Sequence, residues 1–253
     1  MKKLILLFSA GLLSLTSCSS DDNGGSPSTS LNVKPTKIVS TFSGSTQIST
    51  STYTYNGNKI VEELIVPSTD VSKIKYTYTG DNITKIEEFS GPTFDLYNTI
   101  TYTYENNKIK TEVEQGTAAF PYGKENYVHN ADGTVSSTHI NIDQSTGVET
   151  SNSEILKSYF LNGNLIKTEV IDATGAIGRT YNLAYETGKF HAFKNVTGFD
   201  KIALAGNNNL TSITFSGMPS SIVTYTSTYN SSNYPIQIVS PSFGSTQTEV
   251  ITY

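Results

Sequence analysis

The chain has 253 residues, of which 36% are hydrophobic, 11% aromatic and only 15% charged, with a formal net charge of −5. This length suffices for one large domain or two small ones with a real hydrophobic core. A single arginine, Arg179, and the lack of any basic cluster in the sequence exclude an extended contact with nucleic-acid phosphates.

Residues 1–17 have the layout of a secretory signal. Two lysines follow Met1, and an apolar run then extends to Leu15, which is too short for an ordinary membrane-spanning helix. The run ends in Leu-Thr-Ser-Cys at 15–18, which resembles the lipobox of bacterial lipoproteins. That resemblance implies cleavage before Cys18 and acylation of this residue, the only cysteine of the chain. An ordinary signal peptide with an incidental cysteine is the alternative.

Residues 18–35 are predicted to be a lipidated cysteine followed by a flexible tether. The stretch from Ser19 to Ser30 consists of Ser, Asp, Asn, Gly, Pro and Thr, so it has no large apolar side chain to bury. Its acidic start resembles the export tag of some surface-exposed lipoproteins. Several acyl chains, at ~0.8 kcal/mol per buried CH₂, make a stable anchor. We therefore expect a cell-envelope protein, lipid-anchored to the outer membrane through Cys18, and the sequence leaves open which way it faces.

From residue 36 to residue 253 the chain repeats one phrase. Its first three copies read Tyr-Thr-Tyr-Asn-Gly-Asn-Lys-Ile at 53–60, Tyr-Thr-Tyr-Thr-Gly-Asp-Asn-Ile at 76–83 and Tyr-Thr-Tyr-Glu-Asn-Asn-Lys-Ile at 102–109. Alternation of aromatic and polar residues into an Asn-Gly type of turn is a strong signal for a β-hairpin. Later copies are weaker, and the last residues before the turns are Tyr55, Tyr78, Tyr104, His129, Leu161, Tyr185, Leu204 and Tyr229.

The alternation also predicts which side chains share a face. Ile74, Tyr76 and Tyr78 fall on one face of a strand, and Thr77 falls on the other. One buried and one wet face is typical of an antiparallel sheet. The sequence therefore predicts an all-β fold: a long antiparallel meander of repeated hairpins, about fourteen to sixteen strands, strongly curled into a half-open or flattened barrel, because open sheets rarely exceed ~10 strands. A single domain over 36–253 is favoured, and a division near residues 140 to 155 is the alternative.

The repeat resembles the YD (rearrangement-hotspot type) repeat, with Asn in place of Asp and Lys-Ile in place of Arg-Leu in the copy at 53–60. Over nearly its whole length the chain also resembles an uncharacterised family of envelope lipoproteins with a porin-like β fold. Neither resemblance implies a catalytic residue, so no functional position is carried over from either family.

Acidic and basic residues recur after the turns, and they suggest two kinds of chemistry. Glu62 and Glu63, Glu87 and Glu88, and then Glu112, Glu114 and Glu169 accompany Lys59, Lys85, Lys108 and Lys167. Paired carboxylates could serve glycoside hydrolysis, but a set that moves with the repeat favours cross-strand charge pairs on the wet face.

The three histidines do not have the spacing of a zinc site and are expected at the surface. They are His129, His139 and His191. We therefore predict no enzymatic activity, no metal and no cofactor.

The tyrosine rows remain the candidate ligand surface. Aromatic faces bind sugars, whereas alternation with threonine favours a role in the core. The candidate residues are Tyr53, Tyr55, Tyr76, Tyr78, Tyr102 and Tyr104. Two functions stay open: a non-enzymatic surface module that binds an unknown protein partner, and a glycan-binding lipoprotein that serves a neighbouring nutrient transporter.

Overall fold

The computed structural model describes residues 33–67, 70–202, 206–216, 221–242 and 244–253. Cys18, the predicted signal peptide and most of the predicted tether lie outside the described residues, as does Leu204. Over the described residues the chain forms seventeen strands and one short helix. The elements are β1 (Lys37–Phe42), β2 (Ile48–Asn56), β3 (Lys59–Pro67), β4 (Ser72–Thr79), β5 (Asn82–Ser90), β6 (Asp95–Glu105), β7 (Lys108–Gln115), β8 (Gly123–His129), β9 (Val135–Ile142), β10 (Glu149–Leu161), β11 (Asn164–Ile171), β12 (Ile177–Phe190), α1 (Phe199–Ile202), β13 (Asn208–Ser216), β14 (Ile222–Thr224), β15 (Thr226–Tyr229), β16 (Pro235–Ser242) and β17 (Ser245–Thr252).

The sheet curls until its first and last strands meet. Successive strands pair antiparallel from β1 to β14 and from β15 to β17, including β9 with β10 across residues 140–155. On its other side β1 pairs with β17, from Lys37 opposite Thr252 to Phe42 opposite Gln247. The result is a nearly closed barrel in a single sheet, which confirms the predicted all-β, strongly curled antiparallel meander.

The two ends of the barrel have different connections, because alternate links of a meander lie at opposite ends. At one end, which we call the tight-turn end, four hairpins are joined by two residues each, at 57–58, 80–81, 106–107 and 162–163. Gly57 and Gly163 have φ of 61° and 75° there, as the sequence predicts for these turns. The other end, which we call the loop end, carries longer links such as 116–122 and 143–148.

A bulge follows the tight turn in the three copies of the repeated phrase. The register shifts between Thr54 and Tyr55, between Thr77 and Tyr78, and between Thr103 and Tyr104. The unpaired residues are Val61, Thr84 and Lys110, each just after a buried isoleucine. A bulge reverses the alternation of faces beyond it, so it decides which later side chains point inward.

One cluster of the hydrophobic core lies on the inner face of the β4–β10 half of the barrel. Its buried members are Ile83, Ile86, Tyr102, Ile109, Tyr127 and Val135. Ile74, Tyr76, Tyr78, Ile100 and Tyr104 pack against them, whereas Thr77 and Thr103 are exposed on the outer face. The predicted division of faces in these strands is therefore confirmed.

A segment between β12 and β13 closes the tight-turn end. We call residues 191–202 the plug segment, and Ala192 and Val196 within it are 4% and 2% exposed. The amide of Thr197 donates to the carbonyl of Asn58 at 2.9 Å, in the turn between β2 and β3. Gly198 has φ of 74°, and a Cβ there would lie 2.6 Å from the carbonyl oxygen of Asp81, so only glycine allows this approach.

The later repeats depart from the predicted alignment. Leu161, aligned by sequence with Tyr55, is 58% exposed, and Phe160 packs on the core instead. Tyr159 lies on the outer face, where its hydroxyl donates to Glu169 at 2.6 Å. The tight turn occupies residues 162–163, so Leu161 takes the place of Asn56 in the first repeat and Phe160 takes the place of Tyr55.

Candidate functional site

The predicted tyrosine rows line the inside of the barrel. Tyr102 is 7% exposed and Tyr53, Tyr55, Tyr76, Tyr78 and Tyr104 are half-buried. Tyr53 packs edge-on against Phe193 of the plug segment, with ring centroids 5.2 Å apart. These rings therefore contribute to packing, and a sugar would have to reach them through the interior of the barrel.

A tyrosine near the tight-turn end of a strand ties neighbouring strands together. The hydroxyl groups of Tyr55, Tyr104, Tyr185 and Tyr253 donate to backbone carbonyl groups at 2.7, 2.7, 2.8 and 2.8 Å. The acceptors belong to Pro35, Ile83, Leu165 and Pro235, which are all buried. The hydroxyl of Tyr78 instead donates to Thr197 in the plug segment at 3.2 Å. The first four contacts each satisfy a buried carbonyl group, which explains why the sequence repeats a tyrosine at this position.

The glutamates after the turns do not all lie on the wet face, and the prediction that they do is wrong. Glu62 and Glu87 flank Lys75 on the outer face, and Lys85 pairs with Glu87 at 2.9 Å. The bulges turn the next carboxylates inward. Each of these carboxylates is the direct cross-strand partner of a residue that points inward, so it lies on the same inner face. Glu63 is opposite Tyr53, Glu88 opposite Asn98, Glu112 opposite Tyr102 and Glu114 opposite Ile100.

Asn98 joins two of these inward carboxylates. Its Nδ2 donates to Oε2 of Glu88 and to Oε1 of Glu114, both at 3.0 Å. Its Oδ1 accepts from the hydroxyl of Tyr122 at 3.0 Å. Glu88 and Asn98 are 6% and 5% exposed, and burial next to Glu88 raises the pKa of Tyr97 to about 12. Neutral donors thus satisfy two carboxylates that no lysine or arginine of the described chain pairs with.

A second group lies one row towards the tight-turn end. Glu112 is opposite Glu125, and Glu125 is opposite His139. The hydroxyl of Tyr127 donates to Glu112 at 3.2 Å, and Nδ1 of His139 lies 3.2 Å from Glu125. Burial, followed by repulsion from Glu114 and Glu125, raises the pKa of Glu112 to about 7. Burial likewise raises the pKa of Glu63. We call Glu63, Glu88, Glu112, Glu114 and Glu125, with Asn98 and Tyr122, the inner acidic wall.

The other two histidines are separate from this wall. Nε2 of His129 lies 2.9 Å from the carbonyl oxygen of Ile109, in the position that a tyrosine takes in other repeats. His191 lies in the plug segment, where burial lowers its pKa to about 4. All three are partly buried, and the side chain of His139 is 43% exposed, so the expectation of surface histidines is met only in part. Within the described ranges no three His, Cys, Asp or Glu side chains are arranged to hold a metal ion.

The sequence pattern does not indicate most of the inner acidic wall. Asn98 lies two and four residues before Ile100 and Tyr102 on the same strand, so the alternation of side chains indicates that it points into the barrel. Tyr122 follows a loop, and no local pattern predicts that it reaches Asn98. Cys18, the one residue predicted to be modified, lies outside the described residues.

The comparisons with known proteins support the fold but assign the chain to no family. No protein-family model and no curated protein matches the chain. Among solved structures, a porin-like protein from Bacteroides uniformis ATCC 8492 has a TM-score of 0.52 and 13% identity, over 86% of this chain and 97% of that one. At this identity the likeness concerns the fold alone, and it agrees with the predicted porin-like β fold. In the described part of the chain, no helix is long and apolar enough to cross a membrane.

Proposed function

We propose that this chain is an envelope lipoprotein, anchored through Cys18, whose barrel acts as a non-enzymatic binding module. The polar outer face of β2 to β7 carries the proposal. Thr52, Thr54, Thr77, Thr79, Thr101 and Thr103 are all exposed there. Charged lysines accompany them, and Lys110, for example, pairs with Glu105 at 3.2 Å.

This outer face suits water rather than acyl chains. A lipid-facing strand needs apolar side chains, and a lysine at the bilayer midplane costs about 2–4 kcal/mol. Attachment of such a barrel to a membrane requires another element, and lipid on Cys18 would supply it. The uncharacterised lipoprotein family and the YD-like repeat that the sequence resembles are consistent with this proposal.

The position at which the chain enters the barrel indicates which end of the barrel would lie near the membrane. Val33 lies at the tight-turn end, where its carbonyl accepts from Asn195 of the plug segment at 2.9 Å. A chain from Cys18 to Val33 spans at most about 50 Å when fully extended. The tight-turn end would then be held near the membrane, and the loop end would be presented to partners.

The anchor is tested by Cys18→Ser, with Ser19→Ala as the matched control next to it. The Cys18→Ser protein should stay in the aqueous phase when detergent solution is separated into two phases, whereas the control should partition with the detergent. Mass spectrometry of the first mature residue gives an independent reading of acylation. A Cys18→Ser protein that still fractionates with membranes as the parent does would contradict the anchor.

A second candidate function is the binding of a glycan for a neighbouring nutrient transporter, and the inner acidic wall favours it. Carboxylate and amide groups accept and donate hydrogen bonds to sugar hydroxyl groups, and tyrosine rings offer an apolar face. Glu114 and Tyr122 are half-buried, at the edge of the network around Asn98. Glycan-array binding by the parent that is lost in Glu114→Gln and kept in Glu105→Gln, a carboxylate on the outside, would support this function.

A further inference from the structure

The outer face of the barrel becomes more apolar near the loop end of β3 to β6. Direct cross-strand partners there are Leu64, Lys73, Phe89 and Leu96, in this order across four strands. Val66 lies two residues beyond Leu64 on the same face and is 46% exposed, and Leu96 is 45% exposed. On the same strands, the outer face nearer the tight turns consists mainly of threonine and paired charges. Contiguous exposed apolar surface next to a polar rim is typical of an interaction site.

Two phenylalanine rings lie against the ammonium group of Lys73, and Phe89 also lies 5.4 Å from Nζ of Lys75. Nζ of Lys73 lies 4.2 Å from the ring centroid of Phe94 and 5.3 Å from that of Phe89. Phe94 has φ of 54°, which is rare for a bulky residue and costs about 1–3 kcal/mol. The link between β5 and β6 therefore keeps a strained conformation that holds this ring over the lysine. We call Leu64, Val66, Phe89, Phe94 and Leu96, with Lys73, the outer apolar patch.

Lys73 differs from the lysine two residues later in its charged neighbours. The cross-strand partners of Lys75 are Glu62 and Glu87, whereas those of Lys73 are Leu64 and Phe89. Neither lysine belongs to an ion pair among the described residues, but only Lys73 lacks an acidic cross-strand partner. The patch thus presents, in Lys73, a cation whose direct neighbours across the strands are apolar.

From this arrangement we propose that the outer apolar patch docks an apolar polypeptide segment of a partner protein, with one Asp or Glu of that segment on Lys73. A single carboxylate matches a single ammonium group, whereas attraction to anionic lipid needs a cluster of about 4–8 basic residues. The whole chain is acidic, with a net charge of −5, and would be repelled by such a lipid surface. The patch also lies away from the end at which Val33 enters the barrel. The inference deepens the proposed function, because it assigns a partner to the binding module.

The test is a selection from a phage-displayed library of random twelve-residue peptides against the chain from residue 18 onwards with Cys18→Ser. Each round is counter-selected against the same chain with Val66→Thr and Leu96→Thr. Threonine removes the exposed apolar groups and keeps a high β propensity, so the barrel should fold. Unchanged unfolding midpoints in urea check that it does. Enriched peptides should share one acidic residue flanked by apolar residues.

The selected peptide is then synthesised and its Kd measured by fluorescence anisotropy. Lys73→Gln should weaken binding about tenfold, and Lys108→Gln, an exposed lysine at the tight-turn end and the matched control, should leave it unchanged. Replacing the acidic residue of the peptide by its amide should abolish the effect of Lys73→Gln, which is the coupling that direct contact requires. Equal binding to the threonine variant, enrichment of basic peptides or no enrichment would each overturn the proposal.

A vesicle assay tests whether the outer apolar patch binds lipid instead of a peptide. Vesicles of phosphatidylcholine with phosphatidylglycerol should not bind the unlipidated chain with Cys18→Ser that is used in the selection. Binding that the threonine variant loses would identify the patch as a lipid contact and refute the peptide assignment. Failure of the docking proposal leaves the Cys18→Ser fractionation unaffected, so it can be told apart from failure of the lipoprotein proposal.

Discussion

Replacing Tyr102 by alanine should destabilise the barrel far more than replacing its neighbour Thr103. Tyr102 is 7% exposed and belongs to the core. Burial of about 150–250 Å² of tyrosine surface at about 25 cal/mol per Å² gives roughly 4–6 kcal/mol. Residual burial in the unfolded chain reduces this to about 3–4 kcal/mol, within the range for truncation of large aromatic residues. Thr103 is exposed and shares only a hydroxyl contact with Thr111, at 2.6 Å, so Thr103→Ala should cost less than about 0.5 kcal/mol.

Urea unfolding followed by far-UV circular dichroism measures both costs, because the chain has no tryptophan to serve as a fluorescent probe. In a thermal scan the Tyr102→Ala midpoint should fall by about 10 °C, since 1 kcal/mol corresponds to about 2–4 °C in a domain of this size. Small costs for both variants would mean that the tyrosine row faces solvent, and the glycan function would gain support. Large costs for both would mean that both faces of the sheet are covered, and the single curled sheet would be wrong.

Three further variants test the turns, the tyrosine contacts and the buried carboxylates. Gly57→Val should lower the unfolding midpoint because of its φ of 61°, whereas Gly57→Asn should be tolerated better, since no atom lies within 4 Å of a Cβ there. Tyr104→Phe should cost about 1–3 kcal/mol in urea unfolding, because it leaves the buried carbonyl of Ile83 without the hydroxyl donor; a cost near zero would show that water replaces the hydroxyl. Glu112 has a folded-state pKa of about 7, above its unfolded value, so its contribution to stability is full below pH ~4.5 and is lost as the pH rises through about 7. Glu112→Gln should therefore flatten the decline in stability between pH 4.5 and 7, and an unchanged slope would contradict the raised pKa.

The inner face of the first hairpins could be predicted because it depends on local alternation. Ile74, Tyr76 and Tyr78 share a strand without a bulge, so period two alone gives their common face. The turn at Gly57 was equally local, because two residues of the right type between alternating runs define a hairpin. These predictions needed no knowledge of which strands become neighbours.

The carboxylates could not be placed because a bulge lies between them and the turn. Counting in twos from the buried Ile60 puts Glu62 inside and Glu63 outside, but the unpaired Val61 reverses this order. The same reversal brings Glu88 and Glu112 inside. No residue type marks these bulges, since Val61, Thr84 and Lys110 have nothing chemical in common. The inner acidic wall is thus a property of the register, and the charge pattern alone favours the opposite face.

The plug segment also follows from distant contacts. Lys201 reaches Asn107 across 94 residues at 2.7 Å, and Asn195 reaches Tyr234 across 39 at 2.8 Å. The repeat alignment places a copy of the hairpin phrase here, with Leu204 before its turn, whereas residues 199–202 form the helix α1. Its role depends on the width of the barrel, because side chains of the wall alone cannot fill the interior at this strand number.

Closure of the sheet depends on the most distant pairing of all. An antiparallel circuit closes only with an even number of strands, because each strand must run opposite to both neighbours. Seventeen strand segments meet this condition because β14 and β15, separated by Tyr225 alone, run in the same direction as one strand and leave sixteen. The amide of Tyr225 donates to Thr211 at 2.8 Å, so β13 remains the neighbour of this strand through the interruption. The sequence of β1 does not by itself specify pairing with β17, since any strand with the same alternation offers the same face. The even number of strands is what allows β1 and β17 to run antiparallel, so that Lys37 lies opposite Thr252.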